Sequence, residues 1–282
     1  MKVIGISRGS QYSPNHVGND AAIFRKVMER LCHLGCEVDV YSETELKTIA
    51  EAEADIVVSM ARDGQTLKML HVFEQKGIPV VNSPCGVENC VRRPMTEILL
   101  HQGIPHPRSW VLSFPLYSDL SQLSYPCWIK RGDSHAMVKE DVCYVSTNDE
   151  AVEVLADFQN RSIPTAVINE HLRGDLVKFY GVSDTDFFYW FYPSPSSHSK
   201  FGLEEINGLA KGIAFSVDAL KDCANKAAEA LHVPVYGGDA IVLSDGTVKL
   251  IDFNDWPSFA PCRDEAGNAI ADYVMKLLRV GK

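Results

Sequence analysis

The stretch VYGGDAIVLSDGTVKLIDFNDWP, residues 235–257, reads as two strands joined by a tight turn at Ser244-Asp245-Gly246. Asp252 and Asn254 stand two residues apart on the second strand, so both face one side of it. Pairing about the turn brings Asp239, on the first strand, opposite them. Three oxygen donors on one sheet face suit Mg²⁺, which takes few protein oxygens and completes its shell with water and phosphate. A solvated acidic face is the plainer alternative. It is weakened by Ile251, Phe253 and Trp256, which mark the strand as largely buried. A carboxylate placed there needs a partner.

Working outward, Lys130 closes the apolar strand PCWIK and precedes a loop, where its ammonium can reach a phosphate. A strand-terminal lysine in solvent is the competing reading. Lys178 alternates with Tyr180 and Val182 on another strand expected to face inward. Asn169-Glu170-His171-Leu172 ends a strand, and Asp175 follows a short turn. Such a turn offers backbone groups to the edge of a base and a carboxylate to a ribose.

The first eighty residues alternate strand and helix: KVIGIS, an amphipathic helix over NDAAIFRKVMERLCHLG, EVDVYS, ADIVVSMA, a helix over GQTLKMLHVFEQKG, then IPVVNS. The first helix is expected to be capped by Asn19 or Asp20 and closed at Gly35; Gly77 closes the second. This order implies a parallel sheet with ligands beyond the carboxyl ends of its strands. Those ends carry Ser7-Arg8-Gly9, Ala61-Arg62-Asp63 and Asn82-Ser83. Pro94 places Glu88–Arg93 in a connection, with a helix starting near Arg93. The last third reads as antiparallel strands (DLVKFYGVSD and TDFFYWFYPSP), a Ser/Gly-rich stretch, a helix capped by Ser216, the hairpin, and a closing helix.

With 282 residues, 46% hydrophobic and 23% charged, the chain is long enough for two or more domains with a substantial core. Its net charge of −10 argues against a nucleic-acid or anionic-membrane surface. No apolar run reaches a membrane span. The start MKVIGISRGS reads as a strand rather than a secretory signal, so the expectation is a soluble, cytoplasmic protein. The eight cysteines form no CxxC pair and read as thiols in a reducing compartment.

Taken together, VVNSP, Arg92 and the helix ending in QGIPHP, then CWIK, INEHL and GGDAIV…KLIDFND resemble, in order and spacing, the ATP-grasp enzymes. The resemblance spans nearly the whole chain and is nearest to RimK-type and glutathione-synthetase-like ligases. It implies an α/β fold: an N-terminal parallel-sheet (pre-ATP-grasp) domain over 1–85, then a two-lobed α+β ATP-grasp domain with a central lobe over 86–167 and a C-terminal lobe over 168–282. It further implies ATP with Mg²⁺, or Mn²⁺ in its place, as cofactors. Lys130 and Arg92 would bind phosphate oxygens. Glu170, His171 and Leu172 would frame adenine, the last two through backbone groups, and Asp175 would touch the ribose. Lys178 would face the γ-phosphate, and Asp239, Asp252 and Asn254 would hold the metal. Asp252 stands where most members carry glutamate, a shorter reach. The loop GDSHAMVKED has one glycine where the family is glycine-rich, leaving His135 or Lys139 to substitute with side chains. The arginine that many ligases place before the metal hairpin is not apparent, and Lys200 is the nearest cation.

Three functions follow from the resemblance. The leading one is a carboxylate–amine ligase acting through an acyl-phosphate and releasing ADP and phosphate, with small-molecule substrates such as an amino acid or peptide. Lys178, Lys200 and His135 would then be catalytic. A second is a kinase for a polyol or inositol phosphate, because DSHAM and VKFYGVSD resemble inositol-polyphosphate kinases. A third is a non-catalytic nucleotide-binding protein. A homo-oligomer is compatible with all three. The mechanism needs a cover against water, expected over Ser194–Lys211.

Overall fold

Each of the three sheets grows from a run of sequence whose apolar pattern fits its pairing. A computed structural model describes residues 1–13, 17–115, 120–193 and 206–280. Strands β1 (Lys2–Ser7), β2 (Glu37–Ser42), β3 (Ile56–Ser59) and β4 (Val80–Val81) form a parallel sheet in the order β2-β1-β3-β4. β3 is buried along its whole length, as a central parallel strand must be. Helices α1 (Val17–His33), α2 (Leu46–Glu51) and α3 (Gly64–Gln75) make the crossovers. Asp63 caps α3, its carboxylate accepting from the Gln65 and Thr66 amides.

Two antiparallel sheets follow. One is β5-β8-β6-β7, from β5 (Ser109–Ser113), β6 (Cys127–Arg131), β7 (Val142–Val145) and β8 (Thr165–Glu170). The other is β10-β9-β11-β12, from β9 (Asp175–Val182), β10 (Phe188–Phe191), β11 (Val235–Val242) and β12 (Val248–Asp255). Helix α4 (Pro84–Asn89) leads into α5 (Arg92–His101), α6 (Asn148–Asn160) covers the first of these sheets, and α7 (Val217–Leu231) covers the second, over a core that Met95 and Leu99 of α5 share. The α/β class expected from the sequence is therefore present.

The last helix, α8 (Arg263–Val280), returns to the first sheet. Its Ala266, Ile270 and Val274 share one core with Ile23, Phe24 and Val27 of α1. The hairpin is thereby tethered at one end to the N-terminal sheet. No described helix is long and apolar enough to cross a membrane.

Several local expectations are corrected. α1 begins at Val17, so Asn19 and Asp20 lie in its first turn, and Asp20 bonds Arg8 and Ser13 instead. α2 was not expected from the sequence. Glu88 and Asn89 lie in α4, whose Pro84 occupies its first position. α5 already includes Arg92, because Pro94 falls in its first turn, where a missing N–H costs no intrahelical bond. Of the stretch expected to cover the site, residues 194–205 lie outside the described residues. Within its described end and just beyond, the Lys211 and Ile213 amides bond the Asp175 carboxylate, each at 2.8 Å.

The sheets are stitched by Asn82, fully buried beyond β4. Its carboxamide donates to the Val235 carbonyl at 2.8 Å and accepts from the Val235 amide at 2.9 Å. Asn82→Ala leaves that buried amide without its acceptor and should cost about 2 kcal/mol. Urea unfolding of the variant measures this; an unchanged midpoint would show that water or a neighbouring group replaces the carboxamide.

Candidate functional site

The hairpin register sets the site. Asp239 of β11 lies opposite Asp252 of β12, and Gly237 lies opposite Asn254. A bulge after Asp239 skips Ile251 in the pairing. On the other side of β11, Asp239 faces Lys178 of β9, and the ammonium meets the carboxylate at 3.1 and 3.3 Å. From the other antiparallel sheet, Lys130 of β6 reaches across to the Ile251 carbonyl at 3.2 Å. Arg92, buried at the start of α5, holds its Nη1 3.6 Å from an Asp252 oxygen.

The surroundings lower the pKa of both groups, which weakens the charge on Lys130 and secures that on Asp252. Lys130 is 7% exposed, and burial, reinforced by the nearby Arg92 charge, pushes its ammonium down to about 7. Asp252 is also penalised by burial. Arg92 first, then Lys130 and Lys178, outweigh that penalty and hold its carboxyl below the ordinary range.

Two cavities meet here. The smaller, about 200 Å³, has apolar walls from Trp128, Leu172, Leu176, Ile241 and Ile251, and a polar end at Arg92, Lys130 and Asp252. The larger, about 680 Å³, runs past Lys178, Tyr180, Phe191 and Trp256 toward the N-terminal sheet. Among the described residues four line both cavities: Arg62, Asp239, Asp252 and Asn254.

The sequence-expected residues separate into three groups. Lys130, Arg92, Glu170, Leu172, Asp239, Asp252, Asn254 and His135 line the smaller cavity, and Lys178 lines the larger. Glu170 accepts from the Arg108 amide at 2.9 Å and from Lys249 at 3.4 Å. His135 turns its Nε2 to within 3.5 Å of Asp255. Three other expected residues have local partners or stand apart from the cavities. Asp175 is 2% exposed and its oxygens serve the Lys211 and Ile213 amides, so it caps a loop and is not placed for a ribose. The His171 amide donates to the Pro126 carbonyl, and its Nδ1 accepts from the Trp128 indole at 3.2 Å. Lys139 is exposed and lines neither cavity. Lys200 lies outside the described residues.

The sequence reading gave no chemical role to Asp255. Its carboxylate, 1% exposed, receives Arg62 side-on, Nε at 3.2 Å and Nη2 at 2.6 Å, and Arg8 at 3.1 Å. Arg8 and Arg62 stand at the carboxyl ends of β1 and β3. That location was legible from the strand order; their partner was not, because Asp255 is 193 residues from Arg62.

No protein-family profile matches the sequence, and no curated protein matches it. Solved structures do. A D-alanine–D-alanine ligase from Bacillus anthracis superposes with a TM-score of 0.70 at 14% identity, covering 100% of this chain and 98% of the other. The fold is ATP-grasp. A RimK domain ATP-grasp protein from Sphaerobacter thermophilus gives 0.68 at 14% identity, covering 97% of this chain and 99% of the other. The Bacillus ligase complexed with ATP also gives 0.68, at 14% identity over 100% of this chain and 98% of that one. At these identities the likeness concerns the fold. The smaller cavity lies between the two antiparallel sheets, with the hairpin as its floor.

Lys130 makes the electrostatics testable. Its folded pKa of about 7 lies below the ordinary 10.5, so the unfolded chain holds the extra proton between those values. Stability should therefore rise with pH through that window. Wild-type protein should gain on Lys130→Met as the pH goes from 7 to 10 in urea unfolding; parallel profiles would place the ammonium in water.

Proposed function

We propose that the protein is an ATP-dependent carboxylate–amine ligase that works through an acyl-phosphate and releases ADP and phosphate. The observation that carries this reading is the junction: Arg92 and Lys130 converge on Asp252 where a narrow, apolar-walled cavity opens into a larger one. The narrow cavity suits a purine, flanked by Leu172, Ile241 and Ile251. Glu170 stands on its wall, and its carboxylate is the acceptor for a base edge. Lys130 and Arg92 would take the phosphate oxygens, and an added anion would favour the charged form of Lys130 that burial alone opposes. That a solved neighbour holds ATP supports the same assignment.

The donor set fits Mg²⁺. Asp239, Asp252 and Asn254 offer oxygens alone, and Asp252 is held ionised by the cations around it. Among the described residues no three His, Cys, Asp or Glu side chains form a metal cage. Two carboxylates and a carboxamide suit an ion whose remaining ligands are water and phosphate. When bound, Mg²⁺ would neutralise charge on the β- and γ-phosphates. The chain's own part is to bind and orient. Lys178 is fixed beside Asp239 and faces the larger cavity, where the second substrate would sit. Positioning of this kind, rather than a protein nucleophile, would supply the acceleration.

The larger cavity argues against a polyphosphorylated substrate. Among the described residues its four cations, Arg8, Arg62, Lys178 and Arg263, are matched by four carboxylates, Asp20, Asp239, Asp252 and Asp255. A balanced wall with Tyr180, Phe191 and Trp256 suits a small carboxylate or amino acid better than an inositol polyphosphate.

Two outcomes test the reading. Asp252→Asn should abolish Mg-dependent ADP production, screened against pools of amino acids and short peptides, while circular dichroism stays unchanged; wild-type turnover in that variant would remove the metal assignment. Lys130→Ala should weaken MgATP by about tenfold or more while leaving adenosine within about twofold. Equal losses by calorimetry would move Lys130 away from the phosphates.

A further inference from the structure

Arg62 occupies a position that its ion pair with Asp255 does not by itself explain. Its side chain is 10% exposed, yet it lines both cavities, together with the three oxygen donors of the hairpin. Its backbone is fixed too: the Arg62 amide donates to the buried Glu43 carboxylate at 2.8 Å, and the Asp63 amide to the same oxygen at 2.9 Å. Asp255 engages the guanidinium along the Nε–Nη2 edge. A side-on carboxylate leaves the Nη1 donors on the far side of the planar group. No described hydrogen bond uses Nη1. The contrast with Arg8 is direct, because its Nε, Nη1 and Nη2 all bond Met60, Asp20, Asp255 or Trp256.

The hairpin itself supplies no cation at this point. Gly237 shares the Asp239 face of β11, and a Cβ there would come within 2.7 Å of both Pro257 and Tyr180. A side chain does not fit. The guanidinium at the meeting of the two cavities comes instead from the end of β3.

Resting on the ligase reading, we infer that Arg62 is a catalytic residue whose Nη1 donates to the phosphoryl group as it passes between the cavities. In that step a carboxylate oxygen of the second substrate attacks the γ-phosphorus. The new O–P bond forms as the bond to the β-phosphate oxygen breaks, and ADP leaves with that electron pair. The equatorial oxygens carry the charge in flight, and a fixed guanidinium aimed at them needs no reorganisation. Asp255 and Glu43 are the positioning residues that hold it.

The probe is MgADP with and without fluoroaluminate, a stand-in for the transferring phosphoryl group, titrated calorimetrically. Wild-type protein should bind MgADP about tenfold or more tightly when fluoroaluminate is present. Arg62→Lys should lose most of that gain and keep its affinity for MgADP alone within about twofold. Arg8→Lys disturbs the same ion cluster and should keep the gain. In wild-type protein labelled with ¹⁵N-arginine, the Arg62 Nη resonances should shift when fluoroaluminate joins the MgADP complex, a readout that needs no variant to fold. The inference is overturned by an unshifted resonance, by a gain that survives Arg62→Lys, by an equal loss in Arg8→Lys, or by MgADP binding that fluoroaluminate does not strengthen. Failure of wild-type protein to bind MgADP at all would instead remove the nucleotide reading on which the inference rests.

Discussion

A carboxylate with almost no access to water, bonded by two guanidiniums from two different strand ends, joins the parts of this protein. Asp255 closes β12, Arg8 follows β1, and Arg62 follows β3, so one side chain fixes the hairpin against the N-terminal sheet. Removing one member of such a buried set leaves uncompensated charge, at a cost of about 3–5 kcal/mol. Hydrophobic packing of α8 on α1 brings the same two parts together, but apolar contact has no direction. The ion cluster supplies the direction. His135, from the loop after β6, brings its Nε2 to 3.5 Å from the same carboxylate.

The cleft above the hairpin is built on opposed charges, with Lys130, Arg92 and Lys178 set against Asp239 and Asp252. Lys130 and Arg92 crowd each other in a site that also penalises charge, and Asp252 is the group that relieves both. Such an arrangement is strained in electrostatic terms when free. It becomes favourable when an anion and a divalent ion arrive together, since the anion meets the cations and the metal meets the carboxylates. On the ligase reading proposed above, this is a physical reason for a nucleotide and a metal to bind as a unit rather than separately.

Much of the site was legible because its members lie at strand positions with fixed facing. Asp239, Asp252 and Asn254 follow from the hairpin turn and a period of two. Lys130 and Lys178 follow from ending or alternating along apolar strands. Two expected contacts meet competition that spacing does not reveal. Asp175 and His171 were assigned from the chemistry of their side chains and backbone. Those groups are taken by local partners: the amides of Lys211 and Ile213 in one case, Pro126 and Trp128 in the other. Sequence spacing carries no information about which donors a loop returns to a carboxylate.

The sequence by itself determined the sheet types, the crossover order and the hairpin that carries the oxygen donors, because turn chemistry and apolar periodicity act over a few residues. Tertiary structure alone decided the pairing of Asp255 with Arg8 and Arg62, the depth to which Lys130 is buried, and the meeting of two cavities at one guanidinium. Those features join residues more than a hundred positions apart, and desolvation, which sets both the strength of the ion pairs and the shift of Lys130, exists only once the three sheets have closed on one another.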